Sequence, residues 1–301
     1  MSTAIGCGIS TGVFGGDVSS AASILPSWNC DGVGNCSDPG DGTGTYSTFR
    51  SCSTACPAPG FTFTVDTSIT GASSSSQFAL AMTTGGSYNF VVDWGDGTTD
   101  TITAFNQPEI LHTYASSGVY TIVCRGQLVK WTWQGGSYAL DRSKVIDVSY
   151  WGGTNLNING AWAFFGAINM AVSATDSPAN TGSLFTCFYS LGASSPFVTG
   201  IGAWDMSLVT DCSYMCLSAS NFNEDISGWD VSNITSFNQA FASTSMSTAN
   251  YDALLIAWAP QTVNSLTFGI GSTKYTPGGA AEAARATLVS KGWTITDGGP
   301  V

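Results

Sequence analysis

The chain has 301 residues, of which 43% are apolar, and it carries 20 acidic and 8 basic side chains for a formal net charge of −12. Eight scattered cations cannot release counterions from a phosphate backbone, so the composition argues against nucleic acid and anionic membranes as partners. No apolar run reaches the ~20 residues that a membrane-spanning helix needs.

The first 60 residues are rich in cysteine, glycine and serine. Residues 1–7 lack the basic and apolar regions of a secretory signal, yet the chain's nine cysteines are typical of an oxidising compartment. Two explanations remain open. A signal was removed and Met1 added, or the protein leaves the cell by another route, such as lysis of a phage-infected bacterium.

Four cysteines lie close together in this segment, at Cys30, Cys36, Cys52 and Cys56. Because so short a segment cannot build a sufficient core, we expect two disulfides among them, with three connectivities open. Zinc is the alternative, although the spacings miss the usual C-x2-C pair. Cys7 is left over, to pair with a later cysteine or another chain, or to stay free.

From Phe61 onward, apolar and polar residues alternate, which is typical of half-buried strands. Runs of this kind begin at Phe61, Phe78, Tyr88 and Tyr120. Several short strands separated by turns predict an immunoglobulin-like β-sandwich over residues 61–140.

Three motifs of this region, WGDGT at 94–98, HTY at 112–114 and GVYT at 118–121, resemble those of the PKD-type immunoglobulin-like domain. The resemblance covers roughly residues 61–130. It implies a spacer, or a domain that contacts carbohydrate or protein, and not an enzyme.

A repeat of 25 residues follows. The sequence IGAWDMSLVT at 201–210 returns as ISGWDVSNIT at 226–235, with apolar residues at positions 1, 4, 6 and 9 of both copies. This pattern predicts one short strand per turn of a leucine-rich-type solenoid, whose stacked turns share a core. Trp204 and Trp229 are predicted to stack in that core, and residues 214–216 and 239–241 to form its short helical side.

The sequence FNEDISGWDVSNIT at 222–235 resembles the BspA-type leucine-rich repeat of bacterial surface proteins. The resemblance is close over residues 201–245 and fades toward residue 145, and we place the solenoid at 141–249. It implies attachment to cells, matrix or polysaccharide, as in surface adhesins and phage structural proteins.

The C-terminal residues 250–301 are predicted to cap the solenoid. Asn250 is the expected N-cap of a helix that ends at Trp258. A second helix is predicted over residues 279–291, where Gly292 ends it, and a last strand over residues 293–295.

Two sets of residues are candidates for ligand binding. Trp131, Trp133, Tyr150 and Trp151 lie at the junction of the two predicted domains, where aromatic faces would bind sugar or pack between domains. Asp205 and Asp230 occupy equivalent repeat positions. On a shared sheet face they would lie roughly 4.8 Å apart and bind a cation or a sugar; the alternative is that each is a solvated residue of the strand ladder or caps a turn.

Catalysis finds little support in the sequence. The only histidine, His112, belongs to the sandwich motif, so we assign it a structural role and expect no enzymatic activity. No cofactor is expected. Hydrogen bonding to turn amides is favoured for Asp93 and Asp96, and a structural calcium ion is an alternative for all five aspartates in glycine-rich turns. These aspartates are Asp38, Asp41, Asp93, Asp96 and Asp100.

These observations predict a multidomain, mainly β protein on the surface of a bacteriophage virion, either a capsid-decorating fibre or a tail-associated adhesin. Residues 1–60 would anchor it to other virion proteins or hold a homo-oligomer together, and the outer domains would contact host glycans or proteins. A bacterial cell-surface adhesin without its signal peptide is the alternative. A polysaccharide-degrading tailspike is a third.

Overall fold

The computed structural model describes residues 60–133, 136–152, 156–157, 162–178, 182–191, 200–262 and 265–301, together with residues 29–30, 36–37, 39, 41, 43–45 and 47. The chain forms two compact units, residues 1–57 and residues 58–301. Within the described residues the fold is mainly β with two α-helices, and none of these helices is long and apolar enough to cross a bilayer.

In the first unit, strands β1 (Asn29–Cys30) and β2 (Cys36–Ser37) form an antiparallel pair that places Cys30 opposite Cys36. Cys7, Cys52 and Cys56 lie outside the described residues. The disulfides among the four clustered cysteines therefore stay a prediction.

In its described residues, the second unit contains thirteen strands and two α-helices. The strands are β3 (Phe61–Asp66), β4 (Gln77–Ala79), β5 (Ser87–Asp93), β6 (Thr99–Ile102), β7 (Leu111–Thr113), β8 (Val119–Val129), β9 (Val145–Tyr150), β10 (Leu156–Asn157), β11 (Ala171–Val172), β12 (Gly182–Ser183), β13 (Val209–Asp211), β14 (Thr267–Gly269) and β15 (Thr294–Thr296). The helices are α1 (Thr248–Trp258) and α2 (Ala280–Ser290).

The main sheet has the strand order β11-β9-β3-β8-β5-β6, with β10 also paired to β8. The predicted alternation is confirmed in β3 and β5, where every second residue is buried. Strands β4 and β7 form a separate antiparallel pair.

Strand β9 pairs with β3, so the sheet continues across residue 140, where the sequence predicted a domain boundary. Val148 of β9 lies opposite Phe63 of β3. The buried apolar side chains from Phe61 to Trp293 accordingly form one cluster, and the predicted sandwich and repeats share a core.

Between residues 162 and 271, successive turns of chain are joined by backbone hydrogen bonds. The amide of Phe188 donates to the carbonyl of Met215 (2.8 Å), and that of Cys216 to the carbonyl of Ala240 (2.8 Å). Four of the turns, in their described residues, also carry two left-handed residues four positions apart. These pairs are Trp162 and Gly166, Thr186 and Ser190, Tyr214 and Ser218, and Gln239 and Ser243.

The prediction that residues 214–216 and 239–241 are helical is therefore wrong. Tyr214 and Gln239 have φ of +58° and +51°, which no right-handed helix allows. The short strand predicted from the pattern at 201–210 lies only at its end, as β13, because residues 201–203 form a 3₁₀ turn.

Trp204 and Trp229 are both buried, as predicted, but their ring partners lie elsewhere. Trp204 meets Trp151 edge to face at 5.4 Å between centroids, and Trp229 stacks on Trp258 of α1 at 6.5 Å. The neighbouring turns are instead tied by the Trp229 indole N–H, which donates to the carbonyl of Ile201 (2.7 Å).

The C-terminal helices occur where the sequence predicts them, but the cap of α1 is Ser247 and not Asn250. The Ser247 hydroxyl accepts the backbone N–H of Asn250 (3.2 Å). The Asn250 side chain instead donates to the carbonyl of Asn223 (2.9 Å). Its position inside the first turn of α1 frees the side chain for this contact with the preceding repeat.

Candidate functional site

The three tryptophans of the predicted ligand platform are core residues. Trp131, Trp133 and Trp151 are 1%, 3% and 0% exposed. Phe61 meets the ring of Trp131 edge to face at 5.2 Å and stacks on Trp151 at 6.2 Å. This burial fits the packing alternative and leaves Trp131 and Trp151 no open ring face for a sugar. Tyr150, the fourth residue of the set, is half-buried.

Asp205 and Asp230 are exposed and lie in loops, not on a sheet face as the sequence predicted. The carboxylate of Asp205 accepts the backbone N–H of Ser207 (2.9 Å), and that of Asp230 accepts the N–H of Ser232 (2.9 Å). Hydrogen bonds from the hydroxyl and amide of these serines lower the pKa of both aspartates. Both carboxylates thus cap turns, which is the alternative that the sequence left open.

His112 is built into an aromatic stack. Its ring lies 4.6 Å from that of Trp94 and nearly parallel to it, and meets Tyr114 edge to face at 4.5 Å. Nε2 lies 2.9 Å from Oδ2 of Asp96. Partial burial alone would raise the pKa of Asp96, but hydrogen bonds from Thr98 and His112 outweigh it and lower that pKa.

The described aspartates considered for calcium accept hydrogen bonds from nearby residues of the chain. Asp93 accepts the amide of Gly95, Asp96 that of Thr98, and Asp100 the indole N–H of Trp94. Asp41 accepts the amide and hydroxyl of Thr43, and Asp38 lies outside the described residues. Among the described residues, no three histidine, cysteine or acidic side chains are grouped to hold a metal ion.

A buried ionic network, which the sequence reasoning missed, ties the Ala139–Lys144 3₁₀ helix to residues 72–79. Both Asp141 and Lys144 are fully buried. The Asp141 carboxylate accepts backbone N–H groups of Ala72, Ser73 and Ala79 and the Ser73 hydroxyl. The Lys144 ammonium donates to carbonyls of Ser73, Ser74 and Gln77 and to the Ser73 hydroxyl. The role of this buried ionic network is therefore structural.

Five half-buried aromatic residues form a surface that the sequence reasoning also missed. We call Trp162, Phe165, Phe185, Tyr189 and Tyr214 the aromatic strip. Phe165 stacks on Tyr189 of the next turn, with centroids 5.2 Å apart and planes at 10°. Phe185 meets Tyr214 edge to face at 5.6 Å.

The strip lies beside the buried positions of each turn. In the turn that begins at Trp162, the next two residues, Ala163 and Phe164, point into the core, whereas Phe165 remains partly accessible. The guanidinium of Arg142 lies 5.1 Å from the Phe165 ring centre. Aromatic residues recurring just outside the apolar core positions are the sequence signal that could have located this surface.

The repeats are also where the chain is similar to a known family. A model of the family described as Mycoplasma protein of unknown function, DUF285, matches residues 180–271. This stretch is under a third of the chain and coincides with the hydrogen-bonded turns. Neither the curated proteins nor the solved structures include a significant match.

Proposed function

We propose that the protein is a non-enzymatic attachment protein on the surface of a bacteriophage virion, as a capsid-decorating fibre or a tail-associated adhesin. In this proposal, the β3-β8-β5-β6 sheet and the β4–β7 pair form a PKD-like sandwich. The turns over residues 162–271 form a short BspA-like solenoid. Residues 1–60 anchor the chain to other virion proteins or to further copies of itself.

The aromatic strip is the observation that carries the proposal. Aromatic side chains are enriched at protein interfaces, because they offer a large apolar area at a small cost in conformational entropy. Here such rings are partly accessible on three successive turns, around Phe165, Tyr189 and Tyr214. A host-surface protein or glycan laid across the turns would cover them together.

The chemistry of the polar side chains also supports binding over catalysis. His112, Asp205 and Asp230 each hold a turn or a ring stack in place. A general base needs a substrate proton within hydrogen-bond reach, and these groups are already engaged by their own chain.

The proposal is tested first by location. Purified virions of a phage that carries this sequence should contain the chain in a fixed copy number, measured by quantitative mass spectrometry. Its detection on uninfected bacterial cells instead would favour the cell-surface adhesin.

The second test is binding. The labelled full chain should bind host cells, and Tyr189→Ala should weaken this binding, whereas Leu208→Ala, which removes an exposed apolar side chain outside the strip, should not. If Tyr189→Ala and Leu208→Ala bound host cells equally well, the aromatic strip would not be the binding surface. Loss of polysaccharide viscosity on incubation with the protein would indicate the tailspike enzyme.

A further inference from the structure

We infer that a cleft in the second unit, whose lining includes none of the aromatic-strip residues, binds a neutral sugar residue. The cleft has a volume of about 400 Å³, within the usual range for small-molecule sites. It is lined by residues 80–84, by residues 105, 106 and 110, and by residues 132–133 and 136–139. The inference rests on the proposed attachment function for the chemical class of its ligand, and it assigns that ligand to a specific site.

The first wall, residues 80–84, is held from both sides by backbone hydrogen bonds. The amide of Leu80 donates to the carbonyl of Ile110 (2.9 Å), and the carbonyl of Ala81 accepts the amide of Thr132 (3.1 Å). Farther along, the Tyr88 hydroxyl donates to the Thr83 carbonyl (2.9 Å). This wall therefore keeps its shape without a ligand.

The second wall is the loop that carries Phe105 and Asn106, and the side chain of Gln107 holds it. The Gln107 carbonyl oxygen accepts the amides of Thr103 (2.8 Å) and Ala104 (3.0 Å). Its amide nitrogen donates to the carbonyl of Thr101 (2.9 Å). This closed set of bonds fixes the loop on which the exposed Phe105 ring is carried.

The third wall is Thr132 and Trp133, and the fourth is residues 136–139. Trp133 is packed edge to face against Phe78 at 5.9 Å. The fourth wall runs directly into the buried ionic network, where the amide of Asp141 donates to the carbonyl of Tyr138 (2.9 Å). A site whose walls are fixed before binding loses little entropy when a ligand enters.

The lining is apolar at its base and polar but uncharged at its rim. Met82, Ile110 and Trp133 supply apolar surface, and the Phe105 ring is 38% exposed. Polar groups come from Thr83, Thr84, Asn106, Ser137 and Tyr138. None of the described lining residues carries a charge, in a chain whose net charge is −12.

This combination fits a neutral pyranose better than other ligands. The C–H face of a sugar ring packs on an aromatic side chain, while its hydroxyls pair with amide and hydroxyl groups. An anionic sugar would find no cation among the described lining residues and would be repelled by the chain. A purely apolar ligand would leave the rim groups without hydrogen bonds, at a cost in affinity.

The experiment titrates the full chain with the methyl glycosides of glucose, galactose, mannose and N-acetylglucosamine. Saturation-transfer NMR and tryptophan fluorescence measure binding, and glucuronic acid serves as the charged probe. At least one neutral glycoside should bind, and Phe105→Ala and Asn106→Ala should each weaken it by about tenfold, the scale of one lost aromatic or polar contact. Leu140→Ala, an exposed neighbour outside the lining, should bind as the wild type does.

Three results would overturn the inference: no binding of any neutral glycoside, equal binding by both cleft variants, or binding of glucuronic acid as tight as that of the neutral sugars. Because Phe105 and Asn106 are exposed, both variants should keep the wild-type near-UV circular dichroism. Cell binding separates this inference from the proposed function. Wild-type attachment by both cleft variants would reject the cleft alone, and sugar binding by a protein absent from virions and host cells would reject the attachment function alone.

Discussion

Lys144 and Asp141 form an ion pair that is completely enclosed, with Nζ 4.0 Å from Oδ1 and both side chains without solvent exposure. The Lys144 ammonium donates hydrogen bonds to backbone carbonyls of residues 73–77, and the Asp141 carboxylate accepts them from backbone N–H groups of residues 72–79. Burial lowers the pKa of Lys144, and the nearby Asp141 carboxylate opposes that shift. The pair thus organises the loop before β4 and, through Tyr138, one wall of the cleft.

Lys144→Met should destabilise the second unit by about 3–5 kcal/mol, because it leaves a buried carboxylate without its counter-charge. The measurement is the free energy of unfolding from urea titration. Lys274→Met, at an exposed lysine, is the control and should stay within about 0.5 kcal/mol of the wild type. A Lys144→Met loss as small as that of the control would show that the enclosed pair contributes nothing.

Trp229→Phe should cost about 1 kcal/mol more than Trp204→Phe. Both changes remove similar buried ring volume, but the Trp229 indole N–H donates across turns, to Ile201, whereas the buried Trp204 indole N–H has no hydrogen-bond partner among the described residues. A typical hydrogen bond contributes about 1 kcal/mol net. Thermal and urea unfolding of the two variants measure the difference, and equal losses would contradict the turn-to-turn bond.

Gln239→Gly should be more stable than Gln239→Ala by about 1 kcal/mol. Gln239 is exposed and has φ of +51°. This left-handed conformation costs any residue with a Cβ roughly 1–2 kcal/mol, and glycine avoids that cost. Part of the advantage of glycine is lost because its backbone gives up more conformational entropy on folding. Since both variants lose the same side-chain contacts, their difference reports the backbone alone. A more stable alanine variant would place this residue outside the left-handed region.

Asp297 should make part of the protein's stability depend on acid pH. Burial alone would raise the pKa of Asp297, but bonds from Arg285 (2.7 Å) and Tyr251 (2.7 Å) outweigh it and lower that pKa. Because the pKa of Asp297 is lower in the folded protein than in the unfolded chain, its ionised carboxylate stabilises the fold at pH values above the unfolded pKa of about 3.9. This stabilisation is lost as the pH falls through the pKa that Asp297 has in the folded protein.

The free-energy gap between the wild type and Asp297→Asn should therefore be full at neutral pH and shrink as the solution is acidified below about pH 4. Tyr251→Phe removes one of the bonds and moves the folded pKa of Asp297 toward the unfolded value, so this variant should lose less stability on acidification than the wild type, and the loss should be complete at a higher pH. Unfolding followed by circular dichroism across this range measures both. A gap that does not change with pH would contradict the assigned role of Asp297.

Four thiols in the second unit should resist alkylation until the protein unfolds. Cys124, Cys187, Cys212 and Cys216 are buried and free, and burial raises the pKa of each. Iodoacetamide reacts with exposed thiolates, so peptide mass spectrometry should find these four unmodified in the native protein and modified in denaturant. Rapid native labelling of Cys212 would mean that the turns open easily.

Part of the fold follows directly from local sequence. The alternation in β3, β5 and β8 depends on the chemistry of neighbouring residues, and the two C-terminal helices are predicted to within a few residues. Glycine, with its freedom at positive φ, ends α2 at Gly292, where φ is +89°. The period of the repeat was also visible, since each turn must return apolar residues to the same core.

The tertiary structure alone decided which residues are accessible, because burial depends on distant segments. The sequence allowed Trp131 and Trp151 to form an exposed ligand platform. In the fold, β9 pairs with β3 and both rings are buried. Lys144 reads as an ordinary surface lysine, and only the packing of residues 72–79 against it supplies the carbonyls that allow its burial. By itself, the sequence determined the alternating strands β3, β5 and β8, the repeat period and the C-terminal helices, which depend on local patterns. The positions of the cleft and the aromatic strip required the tertiary structure, because both are formed by side chains from separate parts of the chain.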